Sequence, residues 1–425
     1  MGNFEPFRLH NSFELGVSTA ATQIEGFPTE NSWYDWAKIP GKIRGSSTPE
    51  RANGHWEHWK EDLDLMAEMG IRNYRLGLEW SRIEPGDGFY DTEVIARYRD
   101  ELTYMNKLGI RPLVTLHHFA NPSWFERQGA FENKHGIEVF RRFVRRIVPE
   151  LKDLCSEFIT INEANVYAAN GYLYGIWPPG KKALMKAFSV MRNLSICHLR
   201  AYEDIHDIFG DKPVKVGYAN HMRVFRAISN SPFGRLQSKI LDSLFQGSIT
   251  RLMTTGRSAF PAYWFSGVKK FPHCDFIGIN YYARCTMQLL KEIPVPDSVP
   301  HNDLGWEIYP DGLLELCDKY HRLYNLPVWI TENGTCDARD AFRSSYIYEH
   351  LSRIALNLPF VERYYHWTFI DNFEWSEGET APFGLVRNDF STQQRSIRES
   401  GRFYSEIITE KGVSSDMIKR YLSEK

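Results

Sequence analysis

The chain has 425 residues, enough for a large core, and is 43% hydrophobic and 24% charged, the composition of a soluble globular protein. A formal net charge of −2 gives no general attraction to nucleic acid or to anionic membrane, and no apolar run approaches the length of a membrane span. Six cysteines (Cys155, Cys197, Cys274, Cys285, Cys317, Cys336) lie scattered, without a C-x-x-C pair or metal-ligand spacing, and are expected to be reduced and at least half-buried. Residues 1–15 are polar and broken by Pro6, so they do not read as a signal peptide, and a cytoplasmic protein is the expectation.

Residues 13–19 (F-E-L-G-V-S-T) predict a first strand, and 27–53, rich in Gly, Pro and Ser, a long loop. A helix is predicted over 55–69, with Trp56, Trp59, Leu63 and Met66 on one side and Gly70 at its stop. The second strand is placed at 71–80, a helix at 92–108, and the third strand at 110–119. The helix over 137–154 interleaves Arg141, Arg142, Arg145 and Arg146 with Phe140, Phe143 and Val144, which reads as a wet face opposite an apolar one. Strand four takes 157–163, a helix 182–209, and strands five and six 214–220 and 275–282. A helix over 311–324 leads to strand seven at Val328, strand eight is 364–371, and closing helices follow Ser396. Eight strands alternating with helices imply an α/β fold: a single (β/α)8 TIM barrel over 1–425, with long loops at the C-terminal face.

Two of these strands end alike. The β-branched and aromatic run 328–331 leads into Glu332, with Asn333 and Gly334 letting the chain turn away. F-I-T-I-N-E-A at 158–164 ends in Asn162 and Glu163. In a parallel barrel the strand C-termini open on one face, so the two glutamates would look into a common pocket. Paired carboxyl groups in one pocket are the machinery of glycoside hydrolysis. The aromatic content of 14%, with 12 Trp and 22 Tyr, suits stacking against sugar faces, although large cores also use aromatics. Taken singly, His118, Trp367 and Trp375 have ordinary readings as core residues. His117/His118 and His55/His58 suggest a metal, but no carboxylate at fitting spacing completes a site, so neither metal nor cofactor is expected.

Further stretches fall at predicted strand ends in a fixed order across 16–386. They are Q-I-E-G at 23–26, Y-R-L-G-L-E-W-S-R-I at 74–83, T-I-N-E at 160–163, G-I-N-Y-Y at 278–282, W-E-I-Y-P at 306–310, I-T-E-N-G at 330–334 and D-N-F-E-W at 371–375. In these the chain resembles the family 1 glycoside hydrolases, the β-glucosidase and β-galactosidase group. The resemblance implies a retaining mechanism through a covalent glycosyl-enzyme, with Glu332 as nucleophile and Glu163 as general acid/base. Retention requires carboxyl groups about 5–5.5 Å apart, with Glu332 ionised and Glu163 protonated near neutral pH. It further implies that Arg75 lowers the pKa of Glu332, that Tyr282 orients the same carboxylate and that Asn280 supports the site. Gln23, His118, Asn162, Glu374 and Trp375 would bind the hydroxyls of the nonreducing sugar, Asn162 at the 2-hydroxyl. Trp367 would be the platform beneath that sugar, and Trp306 and Phe383 would line the leaving-group entrance.

Four positions depart from the family pattern. Ala164 replaces the proline usual after the acid/base, which removes a backbone restraint on Glu163. Gly77 replaces a serine, a change of little chemical consequence; Phe119 replaces a tryptophan and its indole donor; Glu379 stands where an aromatic or basic residue is common. Relatives that cleave 6-phosphorylated sugars carry Ser and Lys around this last loop, whereas Glu374 to Glu377 supply no cation, so free sugars are the expected substrates. The expected partner is a small β-glycoside with a terminal β-D-glucosyl residue, with galactosyl and fucosyl residues as further candidates. A transglycosidase would keep the same residues. A non-catalytic sugar-binding relative would lose one or both glutamates, and this chain keeps both.

Overall fold

The computed structural model of the chain describes residues 4–26, 29–229, 231–257, 272–288 and 291–423. Eight parallel strands close into a barrel in chain order. They are β1 (Glu14–Ser18), β2 (Asn73–Gly77), β3 (Arg111–Thr115), β4 (Glu157–Asn162), β5 (Lys215–His221), β6 (Phe276–Asn280), β7 (Val328–Asn333) and β8 (Val361–Trp367). The pairing of β8 with β1, from Arg363 opposite Glu14 to Trp367 opposite Ser18, completes the circuit. Around it run α1 (His55–Glu68), α2 (Thr92–Lys107), α3 (His135–Leu151), α4 (Leu184–Phe209), α5 (Ser248–Thr255), α6 (Pro310–Tyr324), α7 (Arg343–Asn357) and α8 (Glu399–Glu410). This is the expected (β/α)8 barrel.

Side chains alternate along the strands, so each strand feeds two apolar layers. Leu113, Ile159, Ala219, Phe276, Trp329 and Tyr365 fill the barrel interior as a cluster of their own. Phe276 stacks on Trp329 at 3.7 Å, and the Arg363 guanidinium, paired with Glu157, covers the same indole at 4.0 Å. Their neighbours Val114, Phe158, Val216, Ile277, Ile330 and Tyr364 face the other way, into the larger core under the helices. The interior is thus plugged below, and what lies above the plug is polar.

Two strands break the alternation where the chemistry sits. The β4–β5 register shifts between Ile159 and Asn162, and the β6–β7 register between Ile330 and Glu332. An irregularity of this kind re-aims the residues that follow it. Without it Asn162 would share the outward face of Thr160, whose hydroxyl bonds His198 of α4. Instead Asn162 meets Arg75 inside the barrel.

Several expected boundaries are corrected. The second strand stops at Gly77 and the third at Thr115; the apolar residues beyond them belong to loops and to the short helix Trp80–Ile83, where Trp80 stacks on Phe143 at 4.8 Å. Hydrophobic content continues there for packing, although the ladder has ended. The loop expected over 27–53 holds a helix, Ser32–Ala37, capped by Asn31 and burying Trp33 and Trp36; residues 27 and 28 lie outside the described residues. Helices Pro232–Asp242, α5 and α7 had no counterpart in the sequence reading. The arginine face of α3 is not simply wet: Arg141 and Arg145 both reach the buried Asp204 of α4 at 2.7 Å, and Arg142 reaches the buried Glu84 at 2.6 Å. All six cysteines are free and buried. Among the described residues no helix is long and apolar enough to cross a membrane.

Candidate active site

Arg75, on the inward face of β2, is fully buried and organises the floor of the pocket. Its Nη1 donates to Oε1 of Glu332 at 2.5 Å and to the Thr331 carbonyl at 3.1 Å. Its Nη2 donates to Oδ1 of Asn162 at 2.7 Å, and its Nε to the Thr115 hydroxyl at 3.1 Å. The Tyr282 hydroxyl donates to the other oxygen of Glu332, Oε2, at 2.6 Å. Both carboxylate oxygens of Glu332 are therefore held, one by a cation.

Glu163 is bound differently. Its Oε1 accepts from Asn280 Nδ2 at 2.7 Å, and among the described residues its Oε2 accepts no hydrogen bond. Asn280 also donates to Asn162 Oδ1 at 3.1 Å and accepts from the Thr331 hydroxyl at 2.6 Å. A chain of hydrogen bonds thus runs from Glu332 through Arg75, Asn162 and Asn280 to Glu163. Within that hydrogen-bonded network Glu332 is the carboxyl group paired with a guanidinium.

Burial pushes the Glu332 carboxyl up to about 7; Arg75 opposes the rise, Glu163 adds to it, and the Tyr282 bond opposes it again. The guanidinium of Arg75 favours the anion, as expected from the sequence, but desolvation in this pocket outweighs it and the shift is upward. With two donors on it, the Glu332 anion is the better supported of the two carboxylates.

The remaining predicted residues gather around this pair. Asn162 Nδ2 contacts His118 Nε2 at 2.9 Å, and the His118 ring lies 5.9 Å from both Trp367 and Trp375. Gln23 donates to Glu374 Oε2 at 3.1 Å and the Trp367 indole reaches the same oxygen at 3.4 Å. Glu374 keeps part of its surface open to the pocket, yet burial pushes its carboxyl up to about 8 against the bonds from Trp367 and Gln23. At the mouth, Trp306 is 38% exposed, edge-on to Tyr282 at 5.7 Å and 6.0 Å from the buried ring of Phe383. Two predicted sugar contacts, Gln23 Oε1 and His118 Nδ1, are buried without a partner among the described residues. His117 turns away from the site, its Nε2 on Asn121 Oδ1 at 2.8 Å, so the two adjacent histidines do not converge.

The departures have structural consequences. Glu163 adopts a left-handed backbone (φ 44°, ψ 55°), and Ala164 opens the helix Ala164–Ala168 directly after it. Phe119 and Trp375 are also left-handed, at φ 67° and φ 47°, conformations that cost about 1–3 kcal/mol each and cluster at functional sites. Phe119 is a packing ring between Trp177 (5.0 Å) and Trp375 (5.3 Å). Gly77 matters more than expected: a side chain there would meet the Ala21 amide at 2.9 Å, so glycine admits the helix Ala21–Ile24 that carries Gln23. The Glu379 amide donates to the Ser47 hydroxyl at 3.2 Å, and Glu377 pairs with Arg44 at 2.7 Å, which fastens the loop after Trp375 to residues 44–47.

His221 was missed by the sequence reading. It faces Glu163 Oε1 at 3.6 Å from the end of β5, one residue beyond the predicted end of that strand. Only its position at a strand C-terminus, shared with the other site residues, hinted at it.

The model of Glycosyl hydrolase family 1 matches residues 6–413. β-Glucosidase A of Thermotoga maritima is 28% identical over 442 residues, covering 94% of this chain and 98% of that protein. A β-galactosidase of Saccharolobus solfataricus is 28% identical, covering 96% of each. Among solved structures, the T. maritima β-glucosidase in complex with glucoimidazole superposes with a TM-score of 0.89 at 26% identity, over 96% of this chain and 100% of that one. The β-glycosidase of Pyrococcus horikoshii superposes with a TM-score of 0.87 at 31% identity, over 99% of both. The chain belongs to glycosyl hydrolase family 1 and is a glycoside hydrolase with the family's β-glycosidase activity.

Proposed function

We propose that the protein is a retaining β-glycosidase that releases terminal nonreducing β-D-glucosyl residues from small unphosphorylated glycosides, with galactosyl and fucosyl residues as secondary substrates. The reading is carried by the unequal setting of the two carboxyl groups: Glu332 receives Arg75 and Tyr282, whereas Glu163 receives a neutral amide on one oxygen. Glu332, the better stabilised anion, attacks the anomeric carbon while Glu163 gives its proton to the leaving oxygen. Ester formation removes the charge from Glu332. Glu163, now anionic, takes a proton from the water that displaces the ester.

Gln23, His118, Asn162, Glu374 and Trp375 would take the sugar hydroxyls, with Trp367 as the platform and Trp306 and Phe383 at the leaving-group entrance. A hydroxyl on the unpartnered Gln23 oxygen would offset the cost of leaving that buried acceptor unmet. The preference for unphosphorylated sugars is supported by Glu374 beside Glu332, and by Arg44 being engaged by Glu377. The T. maritima enzyme has been solved with both a gluco- and a galacto-configured compound, glucoimidazole and galacto-hydroximolactam, which favours a site tolerant at the hydroxyl that distinguishes them. A cytoplasmic setting agrees with six buried free thiols.

The test is a panel of nitrophenyl β-glucoside, β-galactoside, β-fucoside and their 6-phosphates, run with the native chain and with Glu332→Gln. Hydrolysis of the unphosphorylated β-sugars is expected, lost by at least about a thousandfold in the variant. Activity confined to the 6-phosphates would overturn the substrate class, and transfer to an added alcohol in preference to water would favour transglycosylation. The anomer first released, read by NMR, decides retention.

A further inference from the structure

His221 ends β5 beside Asn280, its partner residue on β6. Its imidazole Nδ1 lies 3.6 Å from Glu163 Oε1, the same oxygen that accepts from Asn280. The ring is held on two sides: it stacks on Tyr282 at 5.8 Å and 18°, and Phe245 meets it edge-on at 6.0 Å, itself backed by Phe225 at 5.7 Å. Its backbone is tied to the segment that follows Glu163, since Asn165 Nδ2 donates to the His221 carbonyl at 2.7 Å. An aromatic cage of this kind fixes the direction of the imidazole. The direction it fixes is toward the carboxyl group whose backbone has lost the restraint of a following proline.

We propose that His221 is a positioning residue for Glu163: with Asn280 it holds Oε1 as an acceptor, leaving the transferable proton on Oε2, the oxygen that accepts no hydrogen bond among the described residues. A protonated carboxyl has one hydroxyl oxygen and one carbonyl oxygen. An oxygen that accepts N–H bonds is the carbonyl one, because a proton placed there would oppose the donors. One donor, Asn280, leaves the carboxyl free to pivot about that bond; a second, from a caged ring, removes the pivot. The separation of 3.6 Å is longer than a hydrogen bond, and catalytic contacts of this length often shorten in the substrate complex. The inference rests on the reading of Glu163 as the acid/base.

The experiment compares the native chain with His221→Phe, which keeps a ring in the cage without an N–H, and His221→Gln, which keeps a donor. kcat/KM is measured on 2,4-dinitrophenyl, 4-nitrophenyl, phenyl and methyl β-glucosides. Departure of dinitrophenolate needs little proton donation, whereas methoxide and phenoxide depend on it. His221→Phe is expected to lose about 10- to 100-fold on phenyl and methyl glucosides, part of the range that general acid catalysis supplies, and less than about twofold on the dinitrophenyl compound. His221→Gln is expected to recover most of that loss. An equal loss on all four substrates, no loss with Phe, or a Gln variant no better than Phe would overturn the proposal. Glu163→Gln serves as reference: if it too loses equally across the series, the acid/base reading itself falls.

Discussion

Glu332 and Glu163 share a pocket but meet different donors, and that asymmetry has a consequence in pH. Burial and the neighbouring Glu163 push the Glu332 carboxyl up to about 7, so Glu332 takes up a proton as pH falls through neutrality. On the proposed mechanism Glu332 must be ionised to attack. As pH falls through about 7 Glu332 loses its charge, and kcat/KM is expected to fall. The kcat/KM profile of the free enzyme between pH 5 and pH 9 measures this directly. A profile flat from pH 9 down to pH 5 would mean that Glu332 stays ionised in this pocket. The motifs located both glutamates, but not the raised pKa of Glu332: that depends on desolvation and on Arg75, which is 257 residues from Glu332 in sequence.

Among the elements, β7 and β8 show how closely the backbone controls the site. Gly334 follows Asn333 at the end of β7, and a Cβ built on it would fall 1.8 Å from the Trp367 carbonyl oxygen and 2.8 Å from the carbonyl carbon. Both are backbone atoms, so relief requires one strand end to move. Gly334→Ala is therefore expected to destabilise the fold by about 1–3 kcal/mol and to lower kcat/KM by displacing Trp367, the proposed sugar platform. Urea unfolding and kinetics on a nitrophenyl glucoside check the two effects, and a variant with native stability and rate would show that the contact relaxes freely. Alternation and turn residues made all eight strands legible, because a buried parallel strand is a continuous apolar run. Their ends were not: Trp80 and Phe119 are as apolar as strand residues but pack after the ladder has ended. Helix α7 offers apolar residues at helical spacing (Tyr346, Ile347, Leu351, Ile354), a pattern that the sequence reading left unassigned. The path between β5 and β6 carries a π-helical stretch, Ser243–Gly247, which shifts the helical period.

Across the molecule, the outer helices are tied by buried charge as well as by apolar packing. His55 at the start of α1 lies between Asp62 of α1 and Glu101 of α2, at 2.8 and 2.9 Å, and Arg395 from near the C-terminus reaches Asp62 at 2.9 Å. Burial alone would lower the His55 pKa, but Glu101 and Asp62 outweigh it and push it up to about 9. A folded-state pKa above the ordinary value of about 6.5 contributes stability that is complete below pH 6.5 and disappears as pH rises through 9. The contribution is about 3 kcal/mol. Denaturant midpoints at pH 6 and pH 10 are expected to differ by more in the native chain than in His55→Gln, and equal differences would remove His55 from this role. His55, for which the sequence reading weighed and rejected a metal site with His58, is a cationic link between two helices.

The sequence by itself determined the strand order, the barrel, the family and the residues that line the pocket, because each of these follows from local runs: an apolar stretch, the polar residues at its end and the turn that follows. Only the tertiary structure decided which oxygen of each glutamate is held and by what donor. It also brought His221 to Glu163 and converted His55 into an ion-pair centre. Hydrogen bonding and desolvation depend on distances between groups far apart in the chain, and no local pattern encodes those distances.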